Sequence, residues 1–366
     1  MGFVKSYSGL LSLRFFLGGF EAGVLPGMIY ITSMYYKRHE LQKRMAALVC
    51  SAALAGAFGG LMAYLITTRL NGRHGIAGWR WIFIVEGALT AGIALLCPFI
   101  VIDWPEQTKV LNADEKELLR QRLAMDNKCP CAMDTLNKFS LQVILTDYKI
   151  WLAGVLYFGI NVAGLSSALF LPTILHEFKY TPTESQIRTI PIYVVGVSAM
   201  LLTSWASDRI KHRYGFLMVG YAISIVGYGM LLGLEGHSRD YKLGAVFVVF
   251  IGTTMNTPMA LTWLQNNLSG HWKRAFGAAI QVAIGNLAGL VASNIFIEKE
   301  MPGFVTGYSV CIACTILSAV CATALAVLMW RENKGREAGH CNDRLTRPKE
   351  ETDNMGDWHP SFRFTF

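Results

Sequence analysis

The sequence predicts an all-α membrane protein, a bundle of about nine transmembrane helices, on three observations. Only 16% of the 366 residues are charged and 53% are hydrophobic, against about a quarter charged in soluble domains. Mean hydropathy is +0.36. Apolar runs of spanning length, about 20 residues each, recur near 10–34, 45–68, 80–102, 150–175, 188–206, 215–234, 243–264, 275–297 and 304–330. Each is expected to be helical, because hydrocarbon offers no partner to a bare peptide group.

A polar stretch, 103–149, separates three spans from six. The domain reading is therefore a three-span N-terminal part (1–102), a central loop (103–149), a six-helix C-terminal half (150–330) and a tail (331–366). Within the loop, "NADEKELLRQRLAMD" has the marks of a short amphipathic helix. Asn112 is its expected N-cap, Glu115 stands three positions on, and Leu118, Leu119 and Leu123 share a face.

The net charge of +8 does not point to nucleic acid, since no basic stripe interleaved with aromatics is present. With the central loop and tail placed on the cytoplasmic side, 23 Lys and Arg lie inside and eight in the outer loops. That agrees with the positive-inside rule, and it puts the N-terminus outside. On that topology two short patterns lose their meaning. These are the Met-Gly-x-x-x-Ser start, which resembles a myristoylation signal, and the sequon at Asn267.

Cysteine chemistry contributes little. Cys50, Cys97, Cys311, Cys314 and Cys321 sit in apolar runs, where a thiol behaves as a small hydrophobe. The Cys311–Cys314 pair lacks further ligands, and Cys129 and Cys131, flanking Pro130, read as linker, so no metal and no cofactor are expected.

"RFFLGGFEAGVLPGMIYITSMYYKRHELQKR" resembles the fourth helix and following loop of a major facilitator superfamily transporter. "GAFGGLMAY" and "GWRWIFIVEG" resemble its fifth and sixth helices. "FLPTIL", "SWASDRIKHR", "WLQNNLSGHWKRAFGAAIQVAIGNLAGLVASNIF" and "HPSFRF" continue the likeness through the second half. Together they are similar to the fungal allantoate and nicotinate permease branch of the anion:cation symporter family. The resemblance implies twelve helices in two six-helix halves and residence in the plasma membrane. The family's first three helices, with the Asp-Arg pair of the first, have no counterpart in the 366 residues. The N-terminal half is thus expected to be incomplete, and these residues alone are expected not to transport.

Arg14 and Glu21 are seven positions apart, two helical turns, which sets both side chains on one face about 10 Å apart. A charge in a bilayer costs at least ~2.5–3.5 kcal/mol, so it usually faces a cavity and a partner. One reading has Arg14 snorkelling to the interface with Glu21 as its structural partner. In the other, Arg14 holds a substrate carboxylate while Glu21 exchanges a proton, since a desolvated carboxyl can titrate near neutrality and arginine cannot. The resemblance implies the second assignment.

Further candidates are weaker. Tyr157 and Asn161, four apart on one helix face, and Asn286, with Asn256 and Gln281, are either substrate contacts or amides that bridge helices. Glu86 beside Gly87 is either functional or a packing anchor. Asp208 and Arg209, in "SDRIKHR", resemble the core of the superfamily's cytoplasmic gating loop, and the same charges also serve as a positive-inside anchor.

The expected function is secondary active, proton-coupled symport of a small organic anion such as nicotinate or allantoate. Its expected partners are that anion, protons and the lipid bilayer, and the expected form is a monomer. The alternative is a truncated, non-transporting paralogue or an incomplete gene model. An enzyme is not expected, for want of a nucleophile–base pair, metal cluster or phosphate loop.

Overall fold

A computed structural model describes residues 1–105, 107–127, 133, 135–177, 182–233, 238–301, 303–348, 351–352 and 354–366. Cys129 and Cys131 lie outside them. The chain runs through α1 (Tyr7–Glu21), α2 (Val24–Tyr35), α3 (Leu41–Leu70), α4 (Gly78–Ile100), α5 (Ala113–Asn127), α6 (Lys138–Leu145) and α7 (Tyr148–Glu177). It continues through α8 (Pro182–Ile210), α9 (Arg213–Leu232), α10 (Arg239–Asn267), α11 (His271–Asn286), α12 (Ala288–Ala292) and α13 (Val305–Glu337). No strand occurs among the described residues.

Eight segments of the described chain are long and apolar enough to cross a membrane. The remaining expected run, 45–68, is helical inside α3. What makes them membrane helices is the combination of hydropathy and exposure. The most apolar stretch of α4 has a mean hydropathy of 2.0, and none of it is buried. Water would penalise that surface by about 25 cal/mol per Å², whereas hydrocarbon does not, and a helix meets its own peptide groups there.

The first expected segment is two helices. Pro26 has no N–H for the carbonyl four residues back, and its ring crowds that carbonyl. The chain accordingly breaks between Glu21 and Val24, and Pro26 sits in the first turn of α2, where it is tolerated. Ser6 caps α1, its hydroxyl accepting the Gly9 N–H at 3.3 Å.

Two compact units form, 1–24 with 51–118, and 25–50 with 119–366. They cut across the expected division at 102/103, because residues 25–50 pack with the C-terminal helices. In the first unit, Asn71 Oδ1 accepts the Gly78 N–H at 2.9 Å, and the Arg80 guanidinium donates to the Val4 carbonyl at 3.1 Å. The second unit has two main cores. One gathers Trp263, Tyr221, Leu156 and Met329; the other gathers Phe250, Tyr228, Phe296 and Tyr308.

The central loop carries two helices where one was expected. Before α5, the Asn112 N–H donates to Glu115 Oε2 at 2.9 Å, the reciprocal half of a capping box. Before α6, Asn137 and Ser140 make the complete box. The tail is not loose: α13 runs seven residues past its expected end, and 354–366 folds back as a strap with Asp357 and Phe362 fully buried.

Close helix approach in the second unit depends on glycine at particular positions. A Cβ on Gly227 of α9 would lie 2.7 Å from the Val249 backbone nitrogen of α10, and a backbone cannot give way. A Cβ on Gly229, two residues on, would enter open space among the described residues. Gly227→Ala is expected to lower stability by about 1–3 kcal/mol, and Gly229→Ala to change it by less than about 0.5 kcal/mol. Thermal or SDS-titration midpoints of the two purified variants check this.

Candidate functional site

In the first unit, Arg14 and Glu21 both lie on α1 with exposed side chains. The Arg14 guanidinium stands 5.9 Å over the Phe83 ring of α4. No ion pair joins Arg14 to Glu21 among the described residues, so the Glu21 carboxylate is not spent on neutralising its neighbour. Glu86 on α4 is exposed too; its backbone carbonyl accepts the Thr90 hydroxyl at 2.8 Å.

In the second unit, Tyr157 and Asn161 of α7 are hydrogen-bonded to each other. Both press on Gly285 of α11. A Cβ there would run into the Tyr157 ring and lie 3.0 Å from Asn161 Nδ2. Asn286, the last residue of α11, is exposed and outside that contact. Gln281 bridges helices, its Nε2 donating to the Ala260 carbonyl at 3.1 Å, and Asn256 is buried against Gly220.

Where α8 meets α9, Asp208 pairs with Arg213 at 3.1 Å rather than with Arg209, and both partners are almost fully buried. Asp208 Oδ2 also accepts the Lys43 N–H at 3.2 Å. Arg209 is exposed, its guanidinium 5.7 Å from the Trp205 ring. Arg213 also donates to the Arg38 carbonyl, and Gln42 Nε2 reaches Ser204 Oγ at 3.2 Å. The 33–43 segment is thereby held against α8, α9 and α11, where Arg274 donates to the Ser33 carbonyl at 3.1 Å and Tyr30 bonds His271.

The strap seals the same end. Asn267 clasps Thr365 in both directions, accepting its N–H at 2.8 Å and donating to its carbonyl at 3.0 Å. Asn333 clasps Phe364 the same way, at 2.9 and 3.0 Å. Arg38 stacks 4.4 Å over Phe362 and donates to the Arg363 carbonyl.

Beneath the strap lies a buried quartet. Lys149 reaches Asp147 at 2.8 Å and Asp357 at 3.1 Å, and Lys273 pairs with both carboxylates, at 2.9 Å to Asp357. Burial acts to raise the Asp147 carboxyl. The Lys273 and Lys149 ammonium groups outweigh it and hold that carboxyl well below the ordinary range. Sequence reasoning missed the quartet, the strap clasps and Arg213. Lys149, Lys273 and Arg213 entered it only as positive-inside charges, and Asp357, more than 80 residues from Lys273, carried no local signal.

The profile of the Major Facilitator Superfamily matches residues 1–293. Over 356 residues the chain is 30% identical to the Schizosaccharomyces pombe "uncharacterized transporter C1002.16c", covering 96% of this chain and 70% of that one. It is 29% identical over 368 residues to a Saccharomyces cerevisiae protein named high-affinity nicotinic acid transporter, covering 99% of this chain and 67% of that one. The solved structure of the proton:xylose symporter XylE shares the fold, with a TM-score of 0.63 at 15% identity over 86% of this chain and 68% of that one. An all-helical, membrane-embedded bundle with these matches defines a membrane transporter. The chain belongs to the Major Facilitator Superfamily.

Removing one carboxylate from the quartet strands a buried ammonium. Asp147→Asn is therefore expected to cost about 3–5 kcal/mol, read as a lowered unfolding midpoint. The Asp147 carboxyl is depressed in the fold. Its stabilisation is complete above the unfolded value near pH 4 and is lost as pH falls through the folded value. Acid should therefore lower the wild-type midpoint more than that of Asp147→Asn, as melting curves across that range would show.

Proposed function

We propose that this protein is a secondary carrier moving a small organic anion, nicotinate or a related carboxylate, together with a proton. Arg14 holds the carboxylate, and Glu21 carries the proton. The observation behind this reading is a permanent cation and a titratable acid, not paired with each other, exposed on one helix of a superfamily transporter. The relative named as a nicotinic acid transporter supports the substrate class.

The coupling follows from charge. With Glu21 protonated, Arg14 alone meets the anion and the sum is neutral. With Glu21 ionised, a second carboxylate stands about 10 Å away along α1. At an effective dielectric of about 20 that repulsion is roughly 1.7 kcal/mol, about fifteenfold in affinity. Anion and proton therefore bind better together than either does alone.

Tyr157, Asn161 and Asn286 are the proposed polar contacts for the rest of the substrate. Asp208 and Arg209, with Glu86 in a supporting place, serve gating and structure. The proposed setting is the plasma membrane, with the central loop and tail cytoplasmic.

Labelled nicotinate binding to the purified protein in phosphatidylcholine nanodiscs, at an acidic and at a mildly alkaline pH, tests the reading. Wild type should bind about tenfold tighter at the lower pH. Arg14→Ala should lose binding at both, and Glu21→Gln should bind equally at both. Equal, pH-dependent binding by all three proteins, or none by wild type, overturns it.

A further inference from the structure

A polar cavity of about 430 Å³ opens at the corner between α6, the start of α7 and the tail. Its lining includes Phe139, Thr146, Lys149, Arg344, Arg347 and Trp358. That volume is in the range of small-molecule sites, about 300–1,000 Å³. None of the transport candidates lines it.

The charges around it do not balance. Among the described residues, Lys149, Lys273, Arg336, Arg344 and Arg347 face Asp147, Asp357, Glu332 and Glu351. The quartet neutralises itself, Arg347 pairs with Glu351 at 3.2 Å, and Arg336 and Arg344 share Glu332 at 2.6 and 3.7 Å, so a single positive charge is in excess and it falls on Arg344. Arg344 and Arg347 lie 4.6 and 4.8 Å from the Trp358 ring, and Arg347 also stands 5.6 Å from Phe139. Each gives its Nη1 to the protein, to the Trp358 carbonyl and to Glu351 respectively. Among the described residues no hydrogen bond engages Nε or Nη2 of either, and stacking holds both forks at the one Trp358 ring. Two forks of this kind suit a phosphoryl group, which takes planar, multiply bonded donors.

Helix α6 supplies an independent indication of where that phosphoryl comes from. Ser140 and Ile144 face the core, and Phe139, Val143 and Thr146 face the cavity. Leu141 and Leu145 are left as an exposed apolar ridge beside the exposed Trp151. The Trp151 indole N–H donates to the Leu145 carbonyl at 2.8 Å and ties α6 to the first turns of α7. A short helix with an outward leucine ridge next to an interfacial tryptophan, at the start of a span, lies at headgroup depth. Basic pockets at that depth bind phosphorylated lipid headgroups.

We propose that this cavity is a phosphoryl-anion site, filled from the bilayer by the headgroup of an anionic lipid that Arg344 and Arg347 grip while α6 lies on its acyl chains. Occupancy ties the tail to α6 and α7, so a bound lipid stabilises the folded strap.

Thermal unfolding of the full chain in nanodiscs tests it in two arms. One compares phosphatidylcholine with phosphatidylcholine containing a minor fraction of phosphatidylinositol 4-phosphate. The other adds inorganic phosphate to plain phosphatidylcholine nanodiscs, against chloride at equal ionic strength. Wild type should melt higher in the phosphoinositide arm, with half-saturation weakened roughly tenfold in Arg344→Gln/Arg347→Gln. A shift with inorganic phosphate but not lipid supports the anion site and overturns the lipid source. No shift in either arm, or an undiminished shift in the double variant, overturns the site. Should that variant fold poorly, Leu141→Ser/Leu145→Ser keeps both arginines. It should lose the lipid response only, and an unchanged lipid response overturns the part assigned to α6.

Discussion

The fold's second unit depends on charge pairing at one end of the bundle. Transferring an ammonium or carboxylate from water into a protein interior costs several kcal/mol even after relaxation, and only a close, well-bonded partner offsets it. Lys149, Lys273, Asp147 and Asp357 meet that condition mutually, each contacting two opposite charges. The quartet draws its members from the start of α7, the start of α11 and the strap. None of those can leave without stranding the others. A local ion pair would fix one turn; this one fixes three pieces of chain far apart in sequence.

The amide clasps depend on that anchoring. Asn267 and Asn333 each bond a strap peptide in both directions. Their geometry closes only if 357–366 already lies along the ends of α10 and α13. Arg336 completes the seat, donating to the Asp357 and Phe362 carbonyls. Burial and then the Arg336 charge lower the His359 pKa, so docking of the strap disfavours the charged imidazole. Arg38, from the loop before α3, stacks on Phe362, which brings the 33–43 segment into the same cluster. Clustered pairing of this kind makes release of the strap two-state rather than gradual.

How much of this was legible in sequence follows from the range of each force. Hydropathy acts along contiguous residues, so the nine runs were readable, and so was the α5 cap, where Asn112 and Glu115 are three positions apart. The break at Pro26 was equally local, but a composition window averages across it. Asp208 stood out as a charge in a conspicuous loop, while its partner Arg213, five residues on, was counted only as loop charge. The quartet was invisible because Asp357 meets Lys149 only after α7 through α13 have folded. Arg14 and Glu21 were legible as a pair on one face through helical period alone, and which surroundings that face meets is a tertiary question.

The contrast between the two kinds of charge carries the functional argument one step further. Asp208, Arg213 and the quartet are buried and matched, and a matched charge has little left for a substrate: any anion near Lys273 competes with two carboxylates already in contact. Such groups hold conformations. Arg14 and Glu21 are exposed on a helix of a membrane-embedded chain, and Arg14 stands over the Phe83 ring with no ion pair among the described residues. The proposal that Arg14 receives a mobile carboxylate rests on this contrast between buried, matched charges and an exposed one.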